Sequence, residues 1–402
     1  MTRVLSFFPV FRDNRFGLTF SGGERRFIEI CKVWSTLGIE IHIITTSYGE
    51  RLLKEFDYNT ETHIYQPLIL KGIGLQDFIN GKRMLLKIPA EKFDFIYAPG
   101  ELFNYVVTSI AAKRKLKIPV VASFNLFDPN ESKLSNYFLQ TLLNIFLGRK
   151  EYPLVRAFPR GILLVLKNYI RNFNTRSIDL FFSVGSEVKK TLTASGISGE
   201  RIFIVSAGID FTRIQKIKHE EKIYDACFMG QIIPRKGITD LIESWKIVVK
   251  AKSDAKLVIM GRGPQNYETK IINLIREYKL QDNITLLGFV LGDEKYRIMK
   301  RSKLFIFPSY LETFGQAICE AMACELPIIA YYLPVYDEWY GDIILRVDKG
   351  DRNNLALSIL NLLENKELRS KMGYEGRSVA SQYSWEGVAK YQLEIINTGL
   401  LP

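Results

Sequence analysis

Residues 307–324 read FPSYLETFGQAICEAMAC. The apolar, aromatic run Leu304–Phe307 stops at Pro308, which has no N–H to give to a ladder. A short loop carrying Glu312 follows, and from Phe314 or Gly315 the apolar residues recur at helical spacing, with Glu320 on that helix. Strand, loop and helix in that order form the repeating unit of a parallel sheet covered by helices. The unit recurs on both sides of this stretch. The second half holds YDACFMG, KLVIMG, NITLLGFV and PIIAYY, and the first half VLSFF, IEIHIITT, DFIYA and PVVASF, with helices over 23–36 and 101–116. IDLFFSVG and RIFIVSAGID close the first series. Two alternating series predict an α/β protein of two doubly wound domains, 1–205 and 206–384. The division near 206–222 holds Gly208 and the polar QKIKHEEK (215–222), which suits a linker. A last helix is expected from about 385, with Ser384 as its N-cap.

Residues 131–176 break the alternation and predict an insertion in the first domain. LSNYFLQTLLNIFLG (134–148) spaces Asn136, Gln140 and Asn144 four apart on an apolar helix. GILLVLKNYIRNF (161–173) gathers Lys167, Asn168, Arg171 and Asn172 on its polar side. The basic, proline-punctuated GRKEYPLVRAFPR lies between them. Charge concentrates in the same region. The 402 residues carry a net +12, and the stretch 111–176 alone has twelve Lys and Arg against Asp128, Glu131 and Glu151. Basic charge interleaved with apolar helix faces fits anionic lipid headgroups better than nucleic acid, which asks for exposed cations with little apolar area. Packing of both helix faces into the domain core is the competing reading. Four cysteines without a CxxC pair and three scattered histidines give no disulfide framework and no zinc set, so a reducing cytosol is the expected compartment. The start MTRVLSFFPV lacks a secretory apolar region, and no run of 18 apolar residues predicts a spanning helix.

Three loops of the second series suit an anionic, sugar-bearing ligand. After Pro308, the helix start offers N–H groups and a positive dipole end to phosphate. Carboxylates repel phosphate but accept well from sugar hydroxyls, so Glu312 and Glu320 fit the two sugars of an activated sugar nucleotide. On spacing alone, two solvated glutamates on a surface helix explain the pattern as well. In CFMGQIIPRKGITDLIESW (227–245), Arg235 and Lys236 stand at a helix start, unfavourable unless an anion lies between. MGRGPQ (260–265) places Arg262 between two glycines, and SGGERR (21–26) lets backbone approach a ligand through Gly22 and Gly23. There is no DxD, HExxH or GxSxG, so metal-bridged diphosphate chemistry lacks its ligands. Leaving-group charge would fall to Lys236, Arg235 and helix dipoles.

These elements, SGGERR, FMGQIIPRKG, GRGP, NITLLGFV and above all ETFGQAICEAMA (312–323), resemble the family-four retaining glycosyltransferases of GT-B fold. The likeness spans most of the chain and is strongest over 180–330. It implies two Rossmann-like domains facing across a cleft, an acceptor-side first domain, a second domain holding the nucleotide-sugar, and a C-terminal helix (385–402) packing back towards the first. It also implies sugar transfer with retained configuration, without metal or cofactor. Carried over by position, Glu312 contacts the donor sugar, Glu320 the ribose, and Lys236 with the N–H groups of Phe314, Gly315 and Gln316 the diphosphate. Backbone near Phe289 and Val290 meets the base, while Gly22 and Gly23 approach the donor phosphate and acceptor. The implied reaction is attack from the leaving-group face through an oxocarbenium-like state, the departing phosphate assisting deprotonation of the acceptor.

Three positions depart from the pattern. Gln231 stands where the family usually has Arg, with Arg235 or Arg262 as substitutes; Phe124 and Asn125 occupy the region of the usual first-domain His; Glu325 replaces a usual Gly. Asn125 can donate to a sugar but cannot act as a base. Catalytic roles are therefore expected of Glu312, Lys236 and Asn125, and donor binding also of Gln231, Arg235 and Arg262. The expected function is transfer from a UDP- or GDP-sugar to a glycan or lipid-linked acceptor, at the cytoplasmic face of an anionic membrane contacted through 111–176, without nucleic acid. The alternatives are a sugar-nucleotide epimerase of related fold, or a catalytically weak binding subunit.

Overall fold

A computed structural model describes residues 1–9, 22–67, 76–125 and 166–400. Most of the insertion expected over 131–176, including the helix 134–148 and the basic connection after it, lies outside the described residues, as does Ser21. The chain divides into two compact units, the first holding residues up to Val205 and again from Ala389, the second Ser206–Val388.

The first unit is built on a parallel sheet of β1 (Arg3–Phe8), β2 (Glu40–Thr45), β3 (Glu61–Ile64), β4 (Phe95–Ala98), β5 (Val120–Phe124), β6 (Leu180–Ser183) and β7 (Ile202–Ile204). Their order is β3-β2-β1-β4-β5-β6-β7. β1 sits between β2 and β4, with Val4 opposite both Ile41 and Phe95. Strands covered on both faces need continuous apolar runs, and Leu5, Phe7, Ile44, Ile96, Val120 and Phe181 all lie in the core. The helix Gly22–Thr36 turns Phe27, Ile30 and Trp34 inward. Trp34 Nε1 donates to Ala389 O at 2.9 Å, within the same unit, on the helix Trp385–Gly399. That helix opens with Ser384 Oγ accepting from Gly387 N at 3.1 Å, the cap its sequence predicts.

The second unit repeats the plan with β8 (Tyr224–Met229), β9 (Leu257–Met260), β10 (Ile284–Gly288), β11 (Ser302–Phe307), β12 (Ile328–Tyr331) and β13 (Leu345–Val347). The order β10-β9-β8-β11-β12-β13 is again parallel throughout. Here β8 and β11 are the neighbours at which strand order reverses. Ligands of open α/β sheets bind outside the carboxyl ends of strands at such a point.

The structure corrects one expectation and supplies two details that the sequence left open. The polar stretch 215–222 is no free linker, since Gln215 Nε2 donates to Ala323 O at 2.8 Å and Ile217 O accepts from Lys300 Nζ at 2.5 Å, all within the second unit. Glu325 holds φ 60°, the left-handed backbone a glycine takes without cost, and there it pairs with Arg377 at 3.0 Å. Most tellingly, the helix at 166–175 buries Asn168 and Arg171 and exposes Leu166, Tyr169 and Phe173 to 48%, 66% and 60%. Its polar side faces the protein, an orientation that the sequence pattern left open. No helix of the described residues is long and apolar enough to cross a membrane.

Candidate active site

The loops that leave β8 and β11 at the switch point meet directly. After β8 the chain passes Gly230 and Gln231 and makes a single turn, Pro234–Lys236, before Gly237 at φ 68° starts the helix Ile238–Ala251. A Cβ on Gly237 would lie 2.0 Å from Pro308 O, so only glycine lets the two loops approach this closely. Tyr310 N donates to Arg235 O at 2.9 Å across them. Lys236 Nζ pairs with Glu312 Oε1, their side chains only 12% and 11% exposed. Ser309 Oγ donates to the same Oε1 at 2.6 Å, and the Lys236 ammonium stands 4.9 Å from the Phe307 ring centroid. A nearly buried ion pair thus occupies the switch point.

Beyond Glu312, Phe314 is buried among Trp339, Tyr340 and Tyr383, with ring centroids 5.3–5.5 Å away. Gly315 at φ 78° then caps the helix Gln316–Ala323 without any side-chain bond. That start leaves first-turn N–H groups for an anion, beside the Lys236 loop. The helix begins one to two residues later than its sequence suggests, because Phe314 anchors the loop instead of starting the helix. Gln316 Nε2 donates to Gly208 O at 3.1 Å, so its side chain is engaged within the unit.

The remaining residues expected from the sequence to bind a donor are less uniformly gathered. Arg262, after β9, lies against the backbone of Gly288, where an added Cβ would be 2.8 Å from its Nε, and its Nη1 is 3.4 Å from Glu268 Oε2. Phe289 follows Gly288 and is 41% exposed, with Val290 beside it partly buried. Gln231 and Arg235 are exposed at the end of β8. Glu320 is not brought to Glu312. It is 1% exposed, and its Oε1 accepts from Lys295 Nζ and Tyr296 Oη, both at 2.8 Å.

In the first unit, Gly22 and Gly23 form the start of the helix Gly22–Thr36, and Asn125 follows β5. Asn125 N donates to Glu101 Oε2 at 3.1 Å. Its Oδ1 lies 3.5 Å from Nη1 of Arg26, an arginine only 1% exposed whose Nη2 donates to Val205 O at 3.1 Å. Arg26 Nε has no partner among the described residues, and burial pushes the guanidinium down to about 10. Arg26 stands inside SGGERR, yet nothing in that string says which of its two arginines turns inward. Ser309, Lys295 and Tyr296 carried no sequence signal of their own. His42 Nδ1 and His63 Nε2 lie 3.1 Å apart and share a hydrogen bond. Among the described residues no group of three or more His, Cys, Asp and Glu is placed to hold a metal.

Residues 20–213 match the family Glycosyltransferase Family 4, and residues 210–379 match Glycosyl transferases group 1. An uncharacterised glycosyltransferase of Methanocaldococcus jannaschii is 28% identical over 58% of this chain and 66% of its own. A capsular polysaccharide biosynthesis glycosyltransferase of Staphylococcus aureus is 28% identical over 51% and 58%. Both alignments span less than two thirds of the relative's length. The alpha-monoglucosyldiacylglycerol synthase of Acholeplasma laidlawii is 24% identical over 80% of this chain and 79% of its own. Among solved structures, Anabaena HepE in complex with UDP-glucose superimposes with a TM-score of 0.71 at 16% identity, covering 99% of this chain and 100% of that one. The two parallel sheets with flanking helices are those of the GT-B fold.

Proposed function

The chain belongs to the group 1 glycosyl transferases, and from that premise we propose that it moves a sugar from a UDP- or GDP-linked donor to an acceptor hydroxyl with retention of configuration and without metal or cofactor. The observation that carries this reading is the Lys236–Glu312 pair at the β8/β11 switch point, beside an uncapped helix start. In this reading the donor diphosphate meets Lys236 and the N–H groups of Phe314, Gly315 and Gln316, which stabilise charge on the departing nucleotide. Arg235, Arg262 and Gln231 border it. Glu312 takes the sugar hydroxyls, Phe289 and Val290 border the base, and Glu320 with Lys295 reads the ribose. Gly22, Gly23 and Asn125 are assigned to the acceptor and donor phosphate.

The acceptor we propose is a lipid-linked or membrane-associated glycan, at the inner face of the cell membrane. The exposed Leu166, Tyr169 and Phe173 support it, as does the likeness to an alpha-monoglucosyldiacylglycerol synthase. A thermal-shift panel of UDP- and GDP-sugars tests the donor, since a ligand at 100 times its Kd stabilises the native state by about 2.7 kcal/mol. One base class should raise Tm, and Glu312→Gln should lower sugar transfer about 100-fold, to a rate that is still measurable, with EDTA leaving wild-type turnover intact. A flat response across the whole panel would sink the reading.

A further inference from the structure

Beneath the Glu312 loop lies a buried carboxylate that none of the roles above uses. Asp240 sits in the first turn of the helix Ile238–Ala251, four residues after Lys236, and is 5% exposed. Its Oδ2 accepts from Tyr310 Oη at 2.5 Å and from Tyr331 Oη at 3.1 Å, and its Oδ1 accepts from Arg352 Nε at 2.9 Å. Arg352 also pairs with Glu243 at 2.5 Å, so one guanidinium serves two carboxylates. The rings of Tyr310 and Tyr331 meet edge to face at 5.4 Å.

Tyr310 is two residues before Glu312. It is held from both ends, its N–H on Arg235 O and its phenol on Asp240. On the other side of Glu312, Thr313 O accepts from Trp339 Nε1 at 3.2 Å and Phe314 is buried among aromatics. Glu312 therefore hangs between two pins. Only the Tyr310 pin returns to the helix whose preceding turn supplies Lys236. We propose that Asp240 is a positioning residue for sugar transfer, holding the Glu312 carboxylate in register with Lys236 through the Tyr310 phenol; this rests on the donor-sugar role proposed for Glu312.

Misplacing a catalytic group by about 1 Å can cost 10²-fold in rate. Tyr310→Phe removes one hydroxyl on a residue that remains packed. With radiolabelled UDP-glucose, UDP-N-acetylglucosamine and GDP-mannose as probes, Tyr310→Phe and Asp240→Asn should each lower kcat about 10- to 100-fold, with donor KM within about 3-fold of wild type. Tyr331→Phe, which removes a second phenol from the same oxygen but none from the loop, should keep wild-type kcat. In a Glu312→Gln background, Tyr310→Phe should lower kcat no further, because the residue it positions is already gone. A wild-type kcat for Tyr310→Phe, or an undiminished loss in the Glu312→Gln background, overturns the positioning role alone. Undiminished turnover by Glu312→Gln, or no turnover from any probe, overturns the Glu312 assignment and this inference with it.

Discussion

Arg26 shows what a single residue discloses. Removing a guanidinium from water is costly, and the cost, only partly countered by Tyr97 and Glu101 nearby, appears as its descent to about 10. The sign follows from linkage. Burial depresses its pKa below the ordinary arginine value, so the penalty for the buried charge is present in full at neutral pH and is relieved only as pH rises through about 10. At neutral pH Arg26 is a liability to the fold, offset in part by the Val205 carbonyl and Asn125. Replacing buried charge by an apolar side chain of similar volume is often neutral or stabilising by about 1–4 kcal/mol. Arg26→Met should therefore melt no lower than wild type at pH 7, by calorimetry, while sugar transfer falls because Asn125 loses its neighbour. A Tm lowered by several degrees with full turnover would show that Arg26 serves packing only. Lys236 and Glu312, by contrast, were legible in the sequence as separate signals, a cation at a helix start and a carboxylate in a loop. Their contact was not, because it depends on β8 and β11, distant in sequence, becoming neighbours.

At the scale of elements, the strands that announced themselves are those buried on both faces, such as VLSFF and LFIFPS. The ones that did not are edge strands. β3 is Glu-Thr-His-Ile and β13 Leu-Arg-Val, short and half polar because one side of each lacks a neighbouring strand. The helix at 166–175 left its orientation open for a different reason. Periodicity reveals that a helix has two faces but not which one the protein covers, and here tertiary contacts take Asn168 and Arg171 inward. Between elements, the decisive contact is Gly237 on Pro308. A methyl 2.0 Å from a carbonyl oxygen must push the two loops apart, and φ 68° disfavours any side chain besides. Gly237→Ala should cost more than about 1 kcal/mol in chemical denaturation, and should lower turnover through the Lys236–Glu312 pair. Gly199→Ala, where an added Cβ meets nothing within 4 Å, should change neither. Equal destabilisation at the two sites would show that the loop contact at Gly237 does not set the cost.

For the whole molecule the question is where a net +12 acts. Three quarters of it falls in 111–176, and the described part of that stretch divides its cations into two groups. Lys113 is engaged with Asp179 at 2.6 Å, Lys167 with Asp77, and Arg171 is buried. Arg114, Lys115, Lys117 and Arg176 are exposed in the same unit as the outward stripe Leu166, Tyr169 and Phe173. Arg114 reaches Asn174 of the same helix at 3.4 Å. Each surface cation is worth about 1 kcal/mol near an anionic leaflet. Fully burying an aromatic side chain is worth about 1.5–3 kcal/mol. Neither set dominates, so binding should need both. The full chain should float with vesicles containing phosphatidylglycerol and not with pure phosphatidylcholine, and should be released by salt, since screening shortens the reach of the cations to about 3 Å at 1 M. Tyr169→Ser with Phe173→Ser should release it as well, while transfer to a short soluble acceptor stays near wild type. Binding to neither vesicle, or binding unaltered by the double substitution, would remove the stripe from the membrane and require another occupant for it.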